Sequence, residues 1–410
     1  MDSTRKKKII VASAAFLFLK LNEKKRRRRR RWWMTSIFRD RENRNASELL
    51  LTLTQEDSGH FTNFSRMTAT DFEELLQLIG PKIVKKDTYY REAIPAKERL
   101  SVTLRFLATG DSYASLSYLF KFSKQVIATI IPEVCAAIID ALRHEIKTPT
   151  SREEWLKISE DYYNLWNFPH CLGAIDGKHI ALQAPINSGS DYLNYKSHFS
   201  IVLMAVVDAN YKFIYADVGC QGRISDGGVF KNTSFYLDME SNSLNLPEEA
   251  PLPTTNSVAP YVFVADDAFP LMKNIMKPYT GSWEKGTKER AFNYRLSRAR
   301  RIVENAFGIL SSVFRVFRKP MLLNPDKATL VVLACLYLHN FLRNRKNYNN
   351  FTEKSGVEKK STQGNDYQER SAFSSFRCIP RKTAENVKKI RDTFAEFCKT
   401  ERVSWQDDYE

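Results

Sequence analysis

LGAIDGKHI (Leu172–Ile180), FSIVLMAVV (Phe199–Val207) and KFIYADV (Lys212–Val218) decide how this chain folds. They are short apolar runs rich in β-branched and aromatic residues, the composition of strands. The second and third are joined by Asp208-Ala209-Asn210-Tyr211, a short polar turn suited to a hairpin. A fourth run, Tyr261–Ala265, follows a polar, Pro-rich insertion (Ser241–Pro260) that reads as a surface excursion adding no core. Three antiparallel strands and a crossover to a parallel one predict a mixed α/β sheet.

Outward from this block the chain is helical. Upstream, Thr70-x-x-Glu73 reads as a capping box opening a helix over Phe72, Leu75, Leu76 and Ile79, which Gly80-Pro81 ends. Pro95–Leu142 is helical with a break at Gly110-Asp111-Ser112. Inside it, Ser115–Phe120, a turn at Phe122-Ser123 and a helix from Ser123 through Ile131 have helix-turn-helix spacing. Lys121, Lys124 and Gln125 would then contact DNA, although such helix pairs also build ordinary all-α cores. Downstream, helices are expected over Phe292–Phe317 and Lys327–Arg345, then a polar linker. A last amphipathic helix carries Val387, Ile390, Phe394 and Phe397 on one face, for packing onto the body rather than docking a partner. The expected organisation is a basic, irregular N-terminal segment (1–60), a helix-turn-helix-like region (61–150), a sheet domain (151–345), a linker (346–380) and a C-terminal helix and tail (381–410).

Hydrophobic residues at 43% and aromatics at 12% supply enough apolar surface to offset ordering entropy, which excludes global disorder. A formal charge of +16 points to a polyanionic partner, nucleic acid or an anionic membrane. Ile9–Leu19 is too short to span a bilayer, and the basic octet after it (Lys24–Arg31) is wrong for secretion, so no membrane role is expected. The octet reads as a nuclear-localisation or nucleic-acid patch, with Trp32 and Trp33 beside it to stack on bases or pack on the core. Six cysteines without CxxC spacing indicate neither a zinc finger nor a disulfide framework and fit a reducing compartment.

Phosphodiester hydrolysis by two metals needs carboxylates converging on divalent ions about 3.5–4 Å apart, so acids at strand ends are the candidates. Asp176 interrupts an apolar strand next to Gly177, sharing a face with Leu172 and Ala174 at a period of two. Asp266 ends Tyr261–Ala265 and shares a face with Val262 and Val264; Asp267 competes with it. Glu304 lies on a helix among Ile302, Val303, Ala306 and Phe307, where an acid needs a partner, and Arg300 one turn earlier is the simple one. Arg298 and Arg301 are candidates for phosphate contacts, as is Lys178. His179 would orient a ligand or bridge to the backbone. The histidines show no HExxH spacing, which argues against zinc hydrolysis.

AIDGKHI (174–180), SDGGVF (225–230), VADDAFPL (264–271) and FNYRLSRARRIVENAFG (292–308) resemble the transposases and derived nucleases of the Harbinger superfamily, as does the upstream stretch 91–120. The resemblance implies an RNase H-like catalytic domain, a mixed five-stranded sheet with helices, preceded by an all-α helix-turn-helix-like region. It further implies a DDE nuclease that cleaves DNA with Mg²⁺ or Mn²⁺, in the nucleus, beside a Myb-like DNA-binding partner and as a possible homo-oligomer. Its acids map to Asp176, Asp266 and Glu304, with Asp226 as a supporting metal-site residue; Ala265 stands where many members have glycine. The competing readings are a domesticated DNA- or chromatin-binding protein that no longer cleaves, and an RNA-directed enzyme, against which stands the lack of an RNA-recognition word.

Overall fold

Four helices of the N-terminal half begin where a Ser or Thr hydroxyl meets otherwise unpaired backbone N–H groups. In the computed structural model, which describes residues 13, 46–55, 59–89, 92–345 and 385–401, α1 is Ala46–Gln55 and α2 His60–Ser65. The first sits inside the segment expected to be irregular. Helix α3 (Ala69–Ile83) is capped by Thr68 with Asp71 in a reciprocal capping box, two residues earlier than Thr70 and Glu73. It runs through Gly80-Pro81, because Pro81 falls in the last turn and burial of Ile83 holds that turn in place. Helix α4 (Ala96–Thr109) stops at Gly110, whose φ of 67° suits glycine. Ser112 caps α5 (Tyr113–Phe120) and Ser123 caps α6 (Lys124–Ala141). The two are bent by 100° at the break, and α6 runs a full ten residues past Ile131. Lys124 and Gln125 are exposed at its start, with Lys121 half-buried, while Ile127, Ile130, Ile131 and Val134 are buried. Helix α7 (Arg152–Trp166) leads into the sheet.

The strands are β1 (Cys171–Ala181), β2 (Ser200–Val207) and β3 (Phe213–Gln221). Helices α8 (Asp226–Lys231) and α9 (Ser234–Glu240) follow, then the short hairpin of β4 (Ala250–Pro251) and β5 (Val258–Ala259). Strands β6 (Val262–Val264) and β7 (Ile275–Met276) complete a five-stranded sheet in the order β3-β2-β1-β6-β7. The first three are antiparallel; β6 and β7 run parallel to β1. This is the mixed sheet with flanking helices of an RNase H-like domain. Strand β2 is buried at every position, as a central strand covered on both faces must be. The hairpin turn is held by Asp208, whose Oδ1 accepts from the N–H of Asn210 and of Lys212, both at 2.8 Å.

Two expectations fail here. A register shift in the β1–β6 ladder between Cys171 and Gly173 turns Leu172 to the opposite face from Ala174, so Asp176 shares a face with Ala174 and not with Leu172. The insertion 241–260 also adds to the core: Leu244 and Leu252 are buried, and the Trp155 indole donates to the Leu244 carbonyl at 2.9 Å.

Helix α10 (Lys288–Val313) lies across one face of the sheet against β1, β2 and β6, and a 3₁₀ turn (Arg315–Arg318) follows it. Helix α11 (Pro325–Arg343), capped by Asn324, packs on α6 and β3. Helix α12 (Glu385–Thr400) lays Phe394, Ala395, Phe397 and Cys398 against α10, the packing role expected of it. The chain divides into two units, Met1–Asn43 and Arg44–Glu410, and all these elements belong to the second. The basic octet, Trp32, Trp33, the linker 346–380 and, except for position 13, the apolar stretch 9–19 lie outside the described residues.

Asn340 ties α11 to β3. Its side chain, 1% exposed, accepts from the Phe213 N–H at 3.0 Å and donates to the carbonyls of Phe213 (2.8 Å) and Glu145 (2.7 Å). Replacing it by alanine leaves buried backbone groups without partners, each costing about 1–3 kcal/mol. Asn340→Ala is therefore expected to lower unfolding stability by about 2–4 kcal/mol in a urea titration; a change below 0.5 kcal/mol would contradict this assignment.

Candidate functional site

The site lies where β6 runs out. Ladder pairs join β6 to β1 only at Cys171, Gly173 and Ala174, and among the described residues no strand covers that edge of β1 from Asp176 to Ile180. Because Ala174 is opposite Val264 in a parallel register, the residues two further along each strand, Asp176 and Asp266, come side by side. Neighbouring strands are roughly 4.8 Å apart, and both acids sit on the face that α10 covers, with Ala174, Val262 and Val264. Two carboxylates in that position repel each other. Burial, then the Asp266 charge, then Glu304 push the Asp176 carboxyl up to about 7, against the Gly177 N–H (2.9 Å) and the Arg300 charge. Asp266 is raised as well, first by burial and then by Asp226 and Asp267, although the Ala268 N–H at 3.0 Å and Arg300 favour its charged form.

Asp226 reaches the site from the other face of the sheet, on the first turn of α8. Gly177 makes room for it: a Cβ there would stand 2.4 Å from Asp226 Oδ1. What approaches that glycine closely is thus this carboxylate. Oδ1 is buried without a hydrogen-bond partner, and burial raises the Asp226 pKa. A buried carboxylate oxygen with no donor is costly unless a cation answers it.

Glu304 shares the cleft with Asp176 but is engaged by a cation. The apolar residues around it in sequence are turned into the core, while its own side chain is 45% exposed on the rim of the cleft and bonded to Arg300 at 2.6 Å. That ion pair is the partner expected of it, but the setting is not apolar. Asp267 is drawn away from the cleft, 64% exposed and paired with Lys277 at 2.9 Å. Lys178 lies over the Phe307 ring at 5.9 Å, and His179 Nδ1 is 3.0 Å from Ser200 Oγ, a side-chain contact and not one to the backbone. Arg301 is exposed; Arg298 is half-buried beside Tyr294. Among the described residues no group of three or more His, Cys, Asp or Glu side chains is placed to hold a metal ion. The acids that act on one another here, Asp176 with Asp266 and Asp266 with Asp226, are all carboxylates, the donor type that suits a hard divalent cation.

Sequence reasoning overlooked two features. Arg300, read only as a partner of Glu304, also acts on both aspartates and is the cation of the cluster. Asn194, Tyr195, Lys196 and His198 line the same cleft as Asp176 and Glu304; a polar loop between two strands carries no periodic signal.

The model of a DDE superfamily endonuclease matches residues 175–340. Curated relatives include Protein ALP1-like of Arabidopsis thaliana, 25% identical over 70% of this chain and 71% of its own length. Another from the same plant, Antagonist of Like Heterochromatin Protein 1, is 23% identical over 69% and 72%. HARBI1 of Homo sapiens, which bears a nuclease name, is 22% identical over 65% and 72%. No solved structure matches the chain.

Proposed function

Since residues 175–340 form a DDE superfamily endonuclease domain related to Harbinger-derived nucleases, we propose that this protein is a divalent-metal-dependent DNA endonuclease of the Harbinger type. The observation that carries the reading is the nearness of Asp176 and Asp266, two residues beyond the last β1–β6 ladder pair, with Asp226 entering behind Gly177. These carboxylates would hold Mg²⁺ or Mn²⁺, with Glu304 joining them once it leaves Arg300. Bound divalent ions would supply Lewis-acid polarisation of the phosphate and an activated water. The chain's residues do the rest: Asp176 and Asp266 would set where the ions sit, Arg300 relieves their repulsion, and Lys178 at the cleft wall attracts the strand. Hydrolysis then adds water across one P–O bond. DNA contacts from Lys121, Lys124, Gln125, Arg298, Arg301 and the basic octet, a Myb-like partner, homo-oligomerisation and a nuclear location belong to the same proposal.

The test is nicking of supercoiled plasmid by the full chain. Cutting in magnesium or manganese that stops in EDTA is expected; cutting that persists in EDTA defeats the metal-dependent reading. Gly177→Ala, which pushes Asp226 aside, is expected to lower the rate roughly 10–100-fold, the usual cost of disturbing a group that supports a metal ligand, with little change in melting temperature. An unchanged rate would remove Asp226 from the site.

One observation favours a second reading. Glu304 is held in an ion pair with Arg300, which fits a domesticated protein that binds DNA or chromatin without cutting it, and one relative is named as an antagonist of a heterochromatin protein. Salt-dependent DNA binding with no cutting in either metal, even with a Myb-like partner added, would support it.

A further inference from the structure

The loop between β1 and β2 is built more firmly than a connection needs to be. Asn194, 8% exposed, is its organiser: its Oδ1 accepts from the N–H groups of Lys196 (2.9 Å) and His198 (3.1 Å), and its Nδ2 donates to Ser200 Oγ at 3.1 Å. The Asn194 N–H donates to the His198 carbonyl at 2.9 Å, closing a tight turn in which Ser197 takes a φ of 60°. Ser200 is gripped in turn by His179 and packs where a side chain on Gly222 would stand 2.2 Å from its Oγ. The hydrogen bonds therefore fix a four-residue tip whose own side chains point away from the core.

That tip displays an aromatic ring and a cation. Tyr195 is 63% exposed, with its ring 5.6 Å from that of His179 at 67°, and Lys196 Nζ lies 5.4 Å from the Tyr195 centroid. Both line the cleft that contains Asp176 and Glu304. A hydrogen-bonded turn holding an exposed aromatic ring and a cation on the cleft that holds Asp176 matches how single-stranded nucleic acid is gripped, by stacking on a π-face and pairing with phosphate. His179 is three residues from Asp176, roughly 10 Å along the strand, so Tyr195 stands about two or three nucleotides from a phosphate at the aspartates.

We propose that the Tyr195–Lys196 turn is a strand clamp: Tyr195 stacks on an unpaired base flanking the scissile phosphate, and Lys196 contacts the phosphate beside it. The clamp rests on the nuclease reading, since it takes its distance from Asp176. It selects DNA that is gapped or frayed next to the cut over intact duplex.

The test uses the full chain in EDTA, so that nothing is cut, with a duplex carrying a three-nucleotide gap that contains 2-aminopurine and a continuous duplex as competitor. Wild type and Tyr195→Phe are expected to quench the 2-aminopurine and to prefer gapped DNA. Tyr195→Ala is expected to lose the quenching and about 10–100-fold of the affinity for the gapped DNA, at unchanged affinity for the duplex and unchanged melting temperature. Lys196→Gln is expected to weaken both and to lower the salt slope by about 1. Quenching that survives Tyr195→Ala, or a Tyr195→Phe variant as weak as Tyr195→Ala, overturns the clamp while leaving the nuclease reading intact. A wild type that binds neither DNA defeats the nuclease reading and the clamp with it.

Discussion

Asp176→Asn, Asp266→Asn and Glu304→Gln are each expected to abolish metal-dependent plasmid nicking, with a rate loss of about 10³-fold or more. Metal ions contribute several kcal/mol of transition-state stabilisation, and about 1.4 kcal/mol is tenfold in rate, so loss of a ligand that positions the metals accounts for that size. The three differ in what else they should change. The Asp266 charge raises the Asp176 carboxyl, so either Asn variant removes half of a repelling pair and should leave the fold at least as stable. Glu304 is bonded to Arg300 on the rim, so Glu304→Gln frees that guanidinium beside the aspartates and should strengthen DNA binding while cutting is lost. Nicking that survives Asp176→Asn or Asp266→Asn would sink the assignment at its centre. Nicking that survives only Glu304→Gln would instead mean that the Arg300 pair is the resting role of Glu304 and that another acid completes the site.

The second large effect is on stability and is read without any catalysis. The Asp176 carboxyl is raised from 3.8 to about 7 in the fold. Its cost follows from linkage: well below 3.8 the group is protonated in both states and costs nothing, and as pH rises to about 7 the unfolded chain gains by releasing a proton that the fold retains. Stability is thus lost across that window and stays low above it. At about 1.4 kcal/mol per pH unit the full cost is on the order of 4 kcal/mol. In metal-free buffer at pH 8, Asp176→Asn is expected to melt several degrees above wild type, with the gap closing towards pH 4. Magnesium should reverse the order, stabilising wild type and leaving the variant unmoved. Equal melting at pH 8, or equal stabilisation by magnesium, would show that Asp176 is neither strained by its neighbours nor a metal ligand.

Much of this was legible in the residues. Strands β1 to β3, the Asp208 hairpin and helices α4 to α6 and α10 to α12 follow from periodicity and turn chemistry, which act between residues a few positions apart; α7, α8 and α9 were not read from the sequence. The faces of Asp266 and of most of β1 follow from a period of two, and the motif words around the four acids lead to the Harbinger resemblance. Strand β7 was too short, at two residues, to stand out. The capping residue of α3 was misjudged because Thr68 and Thr70 are both chemically able to cap, and the choice falls to how Asp71 packs.

What the tertiary structure alone decided concerns pairing between distant segments. The shift at Cys171 and Gly173 is a property of the β1–β6 ladder, so no local pattern could turn Leu172 away from Asp176. The early end of β6 opens the edge of β1 and creates the cleft. The place left at Gly177 is filled by Asp226 from α8, and the spacing of Arg300 and Glu304 on α10 decides that the glutamate rests on the rim. By itself, then, the sequence determined the elements, the acid residues and their family resemblance, because these depend on short-range periodicity and on local words. Which acids meet, how far they repel and what stands between them depended on long-range contacts, which exist only once the sheet has formed and α10 has closed over it.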